Sequence, residues 1–166
     1  VLKYANQSAR LYGIDVSGHV RLAKGTGYGD LGASGVVSYS RGENRDTGDN
    51  LYNIMPLNAK LALTQTTGAW RNTLEGQFVA GKKEVSRVRN EIQTSGYALF
   101  NLRSRYAAGK YSIDFGIENL FDRAYALPLG GAYLGQGTTM SIGAVPWGVV
   151  VPGPGRSFYA GVNVQF

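Results

Sequence analysis

Few residues of this 166-residue sequence have the chemistry of a catalytic or metal-binding centre. The chain contains one histidine, His19, and no cysteine, so a Ser-His-Asp arrangement would have to use His19 and thiolate chemistry is absent. Protein sites for zinc and copper are built mainly from His and Cys. We therefore expect no catalytic residue, no metal site and no cofactor, and the sequence does not predict an enzyme.

Two further segments resemble ligand-binding loops in their residue types but lack other features of such loops. Asp46 and Asp49 are close enough to suggest calcium, but the polar run around them favours an ordinary solvated loop. Gly25–Gly29 contains three glycines, yet it lacks the following Lys and the helix that a phosphate-binding loop needs. We predict a turn there.

The segment 81–96 is the first candidate for contact with a ligand. It carries Lys82, Lys83, Arg87 and Arg89 against two glutamates. Of these, Arg87 and Arg89 are the candidate contacts, because such cations attract an anionic chelate or the phosphates of lipopolysaccharide. An ordinary solvated loop is the alternative, and the sequence leaves both open.

The segment 122–155 is the second candidate. Its side chains Tyr133, Met140 and Trp147 suit contact with a flat aromatic or chelate ligand. A connection of this length is uncommon without a role. A purely structural loop remains the alternative.

The chain has a formal net charge of +6, from 17 Lys and Arg against 11 Asp and Glu. A basic balance raises the possibility of nucleic acid as a partner. However, the cations are scattered singly, with no dense run beyond Lys82-Lys83. We expect no nucleic-acid partner.

The dominant hydrophobic period is two, which indicates β-strands. Each run has the length of about 9–11 residues that a tilted membrane strand needs. The predicted strands are Ile14 to Leu22, Leu31 to Ser40, Met55 to Thr64, Trp70 to Phe78, Ala98 to Tyr106, Tyr111 to Glu118 and Ser157 to Phe166. No helix-period segment competes with them, and the fold class is therefore all-β, an antiparallel up-and-down meander of about seven strands.

The connections alternate between short and long. The turns 23–29, 65–68 and 107–110 are short, whereas 41–53, 81–96 and 122–155 are long. Outer-membrane barrels have short periplasmic turns and long extracellular loops. The polar face of the strands would then line a wet interior, with His19 among its residues: Asp15, His19, Arg21, Lys60, Arg71, Glu75, Arg103, Arg105, Asp114 and Glu118.

Aromatic residues of the apolar face are predicted to form two bands, as they do where a bilayer meets water. One band, at the end with the short turns, would contain Trp70, Tyr106, Tyr111 and Phe166. The other, at the end with the long loops, would contain Tyr39, Phe78, Phe100 and Phe158.

Five motifs in order resemble the TonB-dependent receptors of the bacterial outer membrane. A run ending in Asn-Leu-Phe-Asp, Gly116 to Tyr125, is similar to the family's late-barrel signature, and Pro152 to Phe166 is similar to its final strand with a terminal Phe. Weaker similarities lie at 12–15, with Asp in place of the usual Glu, at 54–56, with Met55 inserted before the Pro, and at 96–102.

The resemblance implies a barrel of twenty-two strands around a plug, of which residues 1–166 would be a C-terminal fragment, with the plug domain and earlier strands absent. It implies active import of a scarce chelated nutrient, a ferric siderophore being the first candidate, driven by the TonB complex through the absent N-terminal part. Phe158, Val162, Val164 and Phe166 would form the recognition signal for the barrel-assembly machinery. The other implied partners are the lipid bilayer and lipopolysaccharide, and the localisation is the bacterial outer membrane.

Two other classes of protein remain open. A passive porin or another barrel without a plug would share the strand pattern, and a plug with a TonB box upstream would separate it from a receptor. A soluble β-sandwich binding module would have long loops at both ends, which the order of the connections disfavours.

Overall fold

The computed structural model describes residues 6–133 and 149–165, and its regular elements there are all β-strands. The strands are β1 (Ala9–Thr26), β2 (Gly29–Asn44), β3 (Asn58–Thr67), β4 (Trp70–Val79), β5 (Tyr97–Ala108), β6 (Tyr111–Glu118), β7 (Ala132–Tyr133), β8 (Val149–Val150) and β9 (Ser157–Val164). Seven of them form one antiparallel sheet in the order β1-β2-β3-β4-β5-β6-β9. The predicted all-β meander is confirmed.

The connections separate into two kinds, as the sequence predicts. Turns of two residues join β1 to β2 at 27–28, β3 to β4 at 68–69 and β5 to β6 at 109–110. Gly68 and Gly109 have φ of 55° and 58°, which glycine adopts without strain. The long loops are L1 (45–57), L2 (80–96) and L3 (119–156). Because neighbouring strands are antiparallel, all three lie at the opposite end of the sheet.

The strand bounds differ from the prediction in several places. β1 begins at Ala9 instead of Ile14, and β2 continues to Asn44, into the predicted loop 41–53. β1 and β2 remain paired, with two register irregularities, as far as Thr26 and Gly29, so the turn predicted over Ala23–Gly29 is shorter. β3 starts at Asn58 instead of Met55, because Pro56 has no N–H to donate to a ladder. The short pair β7–β8 lies inside the predicted loop 122–155.

One face of the sheet consists mainly of apolar side chains that no second layer covers. Leu63 is 54% exposed and Val162 68% exposed, at the centre and near the edge of the sheet. Within residues 6–133 and 149–165, Val79 and Leu99 are the only buried hydrophobic residues. This sheet has no water-excluding core of its own, and its apolar face needs apolar surroundings.

Aromatic rings occupy both ends of this apolar face. At the end with the short turns, the Trp70 ring lies 4.9 Å from Tyr106 and 6.1 Å from Phe115, measured between ring centroids. At the end with the long loops, Phe78 and Phe100 meet edge to face at 5.9 Å. The predicted bands are present, apart from Phe166, which lies outside the described residues. No helix in the described ranges has the length and hydropathy to cross a membrane.

If the apolar face contacts lipid, a charge placed on it should be far more harmful than the same charge one residue away. Leu63→Arg should lower the free energy of unfolding in phospholipid vesicles by about 2–4 kcal/mol, the usual effect of Arg near the bilayer centre. The control Ala62→Arg places the same side chain on the polar face, opposite Glu75, and should change it by less than about 1 kcal/mol. Guanidinium titration measures both, and equal effects would contradict a lipid-facing surface.

Candidate functional site

The polar face carries a network of charges along the centre of the sheet. The Arg103 guanidinium lies 3.4 Å from the Glu75 carboxylate and 3.9 Å from that of Glu118. Asn101 donates a hydrogen bond of 3.0 Å to Glu75. These groups come from β4, β5 and β6, and the two carboxylates share one guanidinium.

A second group continues the network towards the short turns. Arg105 lies 3.7 Å from Asp114 and donates to the Ser112 hydroxyl at 3.1 Å, while Asn163 donates to Asp114 at 2.8 Å. Ion pairs this exposed contribute little to stability individually. Their value is that they allow a charged face in a confined space without a large local field.

On β1 to β4 the charges of the polar face are arranged differently. A cavity of about 580 Å³ there is lined by arginines that form no ion pair with any described residue. Its lining includes His19, Arg21 and Arg71, with Asp30 and the Thr64 hydroxyl. No carboxylate of the described residues lies within 4 Å of Arg21 or Arg71. The prediction that His19 belongs to the polar face is confirmed, and this part of the face is left positive.

At the other end of the sheet, loops L1 and L2 are joined through Asp49. Its carboxylate accepts hydrogen bonds from the backbone N–H of Arg87 (3.0 Å) and Val88 (3.1 Å) and from the Ser86 hydroxyl (3.0 Å). The N–H groups of Arg87 and Val88 are the main reason that the pKa of Asp49 lies below its usual value. Asp49 therefore fixes the backbone from which Arg87 projects.

A buried ion pair holds the base of L2. The ammonium of Lys82 lies 2.5 Å from the Glu91 carboxylate, and their side chains are 2% and 5% exposed. Glu91 also accepts the backbone N–H of Ser86 at 2.8 Å and of Asn53 at 3.1 Å. Lys82 is therefore not among the exposed cations of L2, because its charge is buried and paired with Glu91.

Three cations of L2 remain available at its surface. Lys83, Arg87 and Arg89 are exposed, and no described carboxylate pairs with them. Glu84, which could have neutralised them, lies instead 3.7 Å from Arg41 of β2. The predicted residues Arg87 and Arg89 are thus exposed on a loop whose backbone is hydrogen-bonded to Asp49 and Glu91.

Loop L3 rises from the sheet on a stem that begins at the Asn-Leu-Phe-Asp motif. Asn119 is 4% exposed and has a φ of 52°. Its N–H donates to the Asn101 side chain at 2.9 Å, and its amide group donates to the Arg123 carbonyl (2.9 Å) and the Pro154 carbonyl (3.2 Å). Asp122 accepts the Arg156 N–H at 2.8 Å. The motif therefore ties the end of β6 to the start of β9, a structural role that sequence reasoning did not assign.

Further from the sheet, the stem is held by close packing of two tyrosine rings and a glycine. The Tyr125 ring lies 4.5 Å from that of Tyr97, and a Cβ placed on Gly153 would come within 2.1 Å of the Tyr125 ring. Only glycine fits at position 153. Burial, with a smaller contribution from Glu118, raises the pKa of the Tyr125 phenol, which stays neutral at physiological pH.

The predicted contacts of L3 lie on this stem or beyond it. The backbone of Tyr133 pairs with Val149 in β7–β8. Met140 and Trp147 lie outside the described residues, so their contact with cargo stays a prediction. In β9, Phe158, Val162 and Val164 share the exposed apolar face, and Phe166 lies outside the described residues. Their role as an assembly signal stays a prediction.

The carboxylates of L1 accept hydrogen bonds from backbone groups of neighbouring segments. Asp46 accepts the Ser8 N–H at 2.7 Å, whereas Asp49 is occupied by L2. Across the described residues, no three His, Cys, Asp or Glu side chains come together as a metal site.

Asp49 should control the rigidity of L2. Asp49→Ala is expected to lower the hydrogen-exchange protection of the Arg87 and Val88 amides roughly tenfold, because both lose their acceptor. Asp46→Ala, which removes a neighbouring carboxylate, should leave these amides unchanged. The pKa of Asp49 is lowered by folding, so its contribution should be constant above about pH 4 and be lost as the pH falls below that. Protection that is insensitive to both variants would exclude this role.

Comparison with known proteins agrees with this geometry. A family model described as "TonB dependent receptor-like, beta-barrel" matches residues 2–120. Among solved structures, copper transporter OprC has a TM-score of 0.82 and 26% identity and covers 97% of this chain. The ferric yersiniabactin uptake receptor FyuA from Yersinia pestis has a TM-score of 0.68 and 16% identity and covers 95%.

The chain spans 24% of each of these two solved structures. Among curated proteins, none matches the sequence. The family model covers more than two thirds of the chain, and the strand order and loop asymmetry are those that the motifs imply. The chain belongs to the TonB-dependent receptor β-barrel family.

Proposed function

We propose that this chain is the C-terminal part of an outer-membrane active-transport receptor that imports a scarce metal chelate, with a ferric siderophore as the first candidate cargo. The observation that supports the cargo assignment is the group of exposed cations Arg87, Arg89 and Lys83 at the end of the sheet with the long loops, on a loop whose backbone is bound by Asp49. Such a group of cations attracts anions. Metal chelates of the siderophore class present anionic oxygens.

The charge distribution on the polar face supports passage of an anion. Among the described residues, unpaired positive charge lies in L2 and again in the cavity with Arg21 and Arg71, whereas at the centre of the face Arg103 and Arg105 are paired with carboxylates. An anion would meet attraction at each end and no deep trap between them. Transport requires such a balance, because a ligand that binds too tightly does not leave.

The sheet leaves two edges for strands outside this chain. β1 pairs with β2 alone and β9 with β6 alone, so each has a free hydrogen-bonding edge within the described part of the chain. A membrane sheet with open edges is not viable in lipid. We propose that earlier strands of the same polypeptide close the barrel, and that a plug and TonB box precede them.

The second candidate function is a barrel without a plug, a passive porin, which the wet polar face would equally permit. Energy dependence separates the two. Uptake through the receptor should stop when the proton-motive force is collapsed or TonB is deleted, whereas uptake through a pore would persist. Persistence would leave the family assignment intact and remove the active-transport proposal.

The cargo site is tested by charge removal in the full-length receptor. Arg87→Ala with Arg89→Ala should weaken binding of an anionic ferric siderophore about tenfold at low salt and less at high salt, because exposed charges are screened. The control Lys24→Ala with Lys110→Ala removes the same net charge at the short turns. Titration by intrinsic fluorescence measures both, and equal affinities of the two variants would reject the loop site.

The aromatic residues of L3 give an independent test. Tyr133→Ala with Trp147→Ala should weaken binding of the same cargo, because these aromatic side chains are the predicted contacts of L3. Replacing Tyr28, an exposed ring of the turn between β1 and β2, is the matched control. A panel of ferric and copper chelates would define the metal, and unchanged affinity for every member would reject L3 as a contact.

A further inference from the structure

The apolar face of the sheet contains one row of polar side chains, Gln65, Asn72 and Ser104, which we call the amide row. These residues are direct partners in the register of β3, β4 and β5. Asn72 donates to the Gln65 carbonyl oxygen at 3.1 Å, and the Ser104 hydroxyl donates to the Asn72 carbonyl oxygen at 2.5 Å. The Gln65 amide in turn donates to the Tyr28 carbonyl at 2.8 Å. The row is a built feature of three strands and not an isolated exception to the alternation.

The height of the amide row places it at the level of lipid ester groups. On this face, the next pair towards the short turns is Trp70 and Tyr106. Phe115 of β6 lies opposite Ser104. Trp and Tyr rings settle among lipid headgroups. One pair further in, Leu63, Leu74 and Leu102 begin the aliphatic zone. The row therefore lies just inside the headgroup layer, at the short-turn end, which faces the periplasm in this kind of barrel.

The amide row also has hydrogen-bonding capacity left over. An amide NH₂ has two hydrogens. Gln65 uses one on Tyr28 and Asn72 uses one on Gln65, and no described residue accepts the second hydrogen of either. In an apolar setting without water, such donors need an acceptor from another molecule. The ester and phosphate oxygens of a phospholipid are acceptors at the right height.

An apolar trough leads away from the row. It consists of two adjoining cavities of about 370 and 380 Å³, which share Leu63 and Leu74 as lining residues. Gln65 and Asn72 border the first cavity, and the rings of Phe78 and Phe100 border the far end of the second. Ala33 keeps the floor of the second cavity low, whereas the Phe78 ring lies over Gly76 at the far end.

The depth of the trough is limited by the aromatic band at its far end. From Asn72 to Gly76 the strand advances four residues, roughly 13 Å at 3.3 Å per residue. At a strand tilt of about 40° this corresponds to about 10 Å of depth, after which the rings of Phe78 and Phe100 end the trough. One acyl chain of the periplasmic leaflet can lie along this depth.

We propose that the amide row and the trough form a binding site for one diacyl phospholipid of the periplasmic leaflet. The glycerol esters accept hydrogen bonds from Gln65 and Asn72, and one acyl chain lies against Leu63 and Leu74. The site is separate from the loops and does not depend on the identity of the cargo. It continues the lipid-facing surface, but with polar complementarity that the rest of that surface lacks.

The test uses the full-length receptor and phosphatidylethanolamine as the probe. The variant Gln65→Leu, Asn72→Leu, Ser104→Ala removes the row. The control Thr64→Val, Thr73→Val removes the polar pair of the adjacent register on the opposite face, where the two hydroxyls lie 3.4 Å apart. Native mass spectrometry after graded detergent washing measures retained lipid. The row variant should bind the lipid about tenfold more weakly, the value expected for two lost hydrogen bonds, and the control should match the wild type.

A second variant keeps the proposal testable if the row variant does not fold. Ala33→Phe fills the trough and leaves the row intact, and it should also reduce retention. A phospholipid with a photoreactive group near the ester should label residues around Gln65, and one with the group midway along the acyl chain should label Leu63 or Leu74. Unchanged retention in folded variants, or labelling of an associated protein at the row, would overturn the proposal. Cargo affinity, measured in the same samples, reports on the transport proposal separately.

Discussion

The constraint on which this structure depends is that a single-layer sheet must satisfy its backbone through neighbouring strands while its two faces meet different surroundings. Water cannot accept or donate on the apolar side, so every strand must keep both its register and its parity. A slip of one residue in β4 would move Leu74 to the wet face and Glu75 into lipid. The pairing of Leu63 with Leu74 and of Leu74 with Leu102 thus fixes the register of β3, β4 and β5. That register determines the face on which every other side chain of these strands lies.

The loops are not held by strand pairing, and side-chain hydrogen bonds to their backbone order them instead. Once a chain leaves the sheet, no repeating ladder satisfies its backbone groups, and side chains must do so. Asp49, Glu91 and Asn119 each accept or donate several backbone hydrogen bonds. The two charged ones lie where they can hold L2, and the neutral one holds the stem of L3. The position of the exposed cations of L2 therefore depends on Asp49 and Glu91, whose carboxylates accept backbone N–H groups of that loop.

The sequence predicts the periodic strands, but it does not predict the side-chain contacts in the loops. In β1, Ile14, Val16 and Val20 alternate with His19 and Arg21, and the same alternation recurs in the other strands. It predicts seven strands and two faces, because the strand period is two and does not depend on distant residues. The pairing of Lys82 with Glu91 depends on how L2 folds back on itself, and the contacts of Asn119 depend on residues 35 positions away, such as Pro154. Neither has a local pattern from which it could be predicted.

The amide row shows why parity alone is an incomplete description of such a sheet. Asn72, Thr73, Leu74 and Glu75 are consecutive, and they distribute polar groups according to the surroundings of each face. Where the face is wet, Glu75 and its partner Arg103 carry full charges. On the apolar face the polar residues are neutral and hydrogen-bonded to one another, because an ion there would lose far more hydration free energy than an amide does. Chemistry that needs a polar contact with lipid can therefore be built from neutral side chains at the border of the headgroup layer, without weakening the strands that carry them.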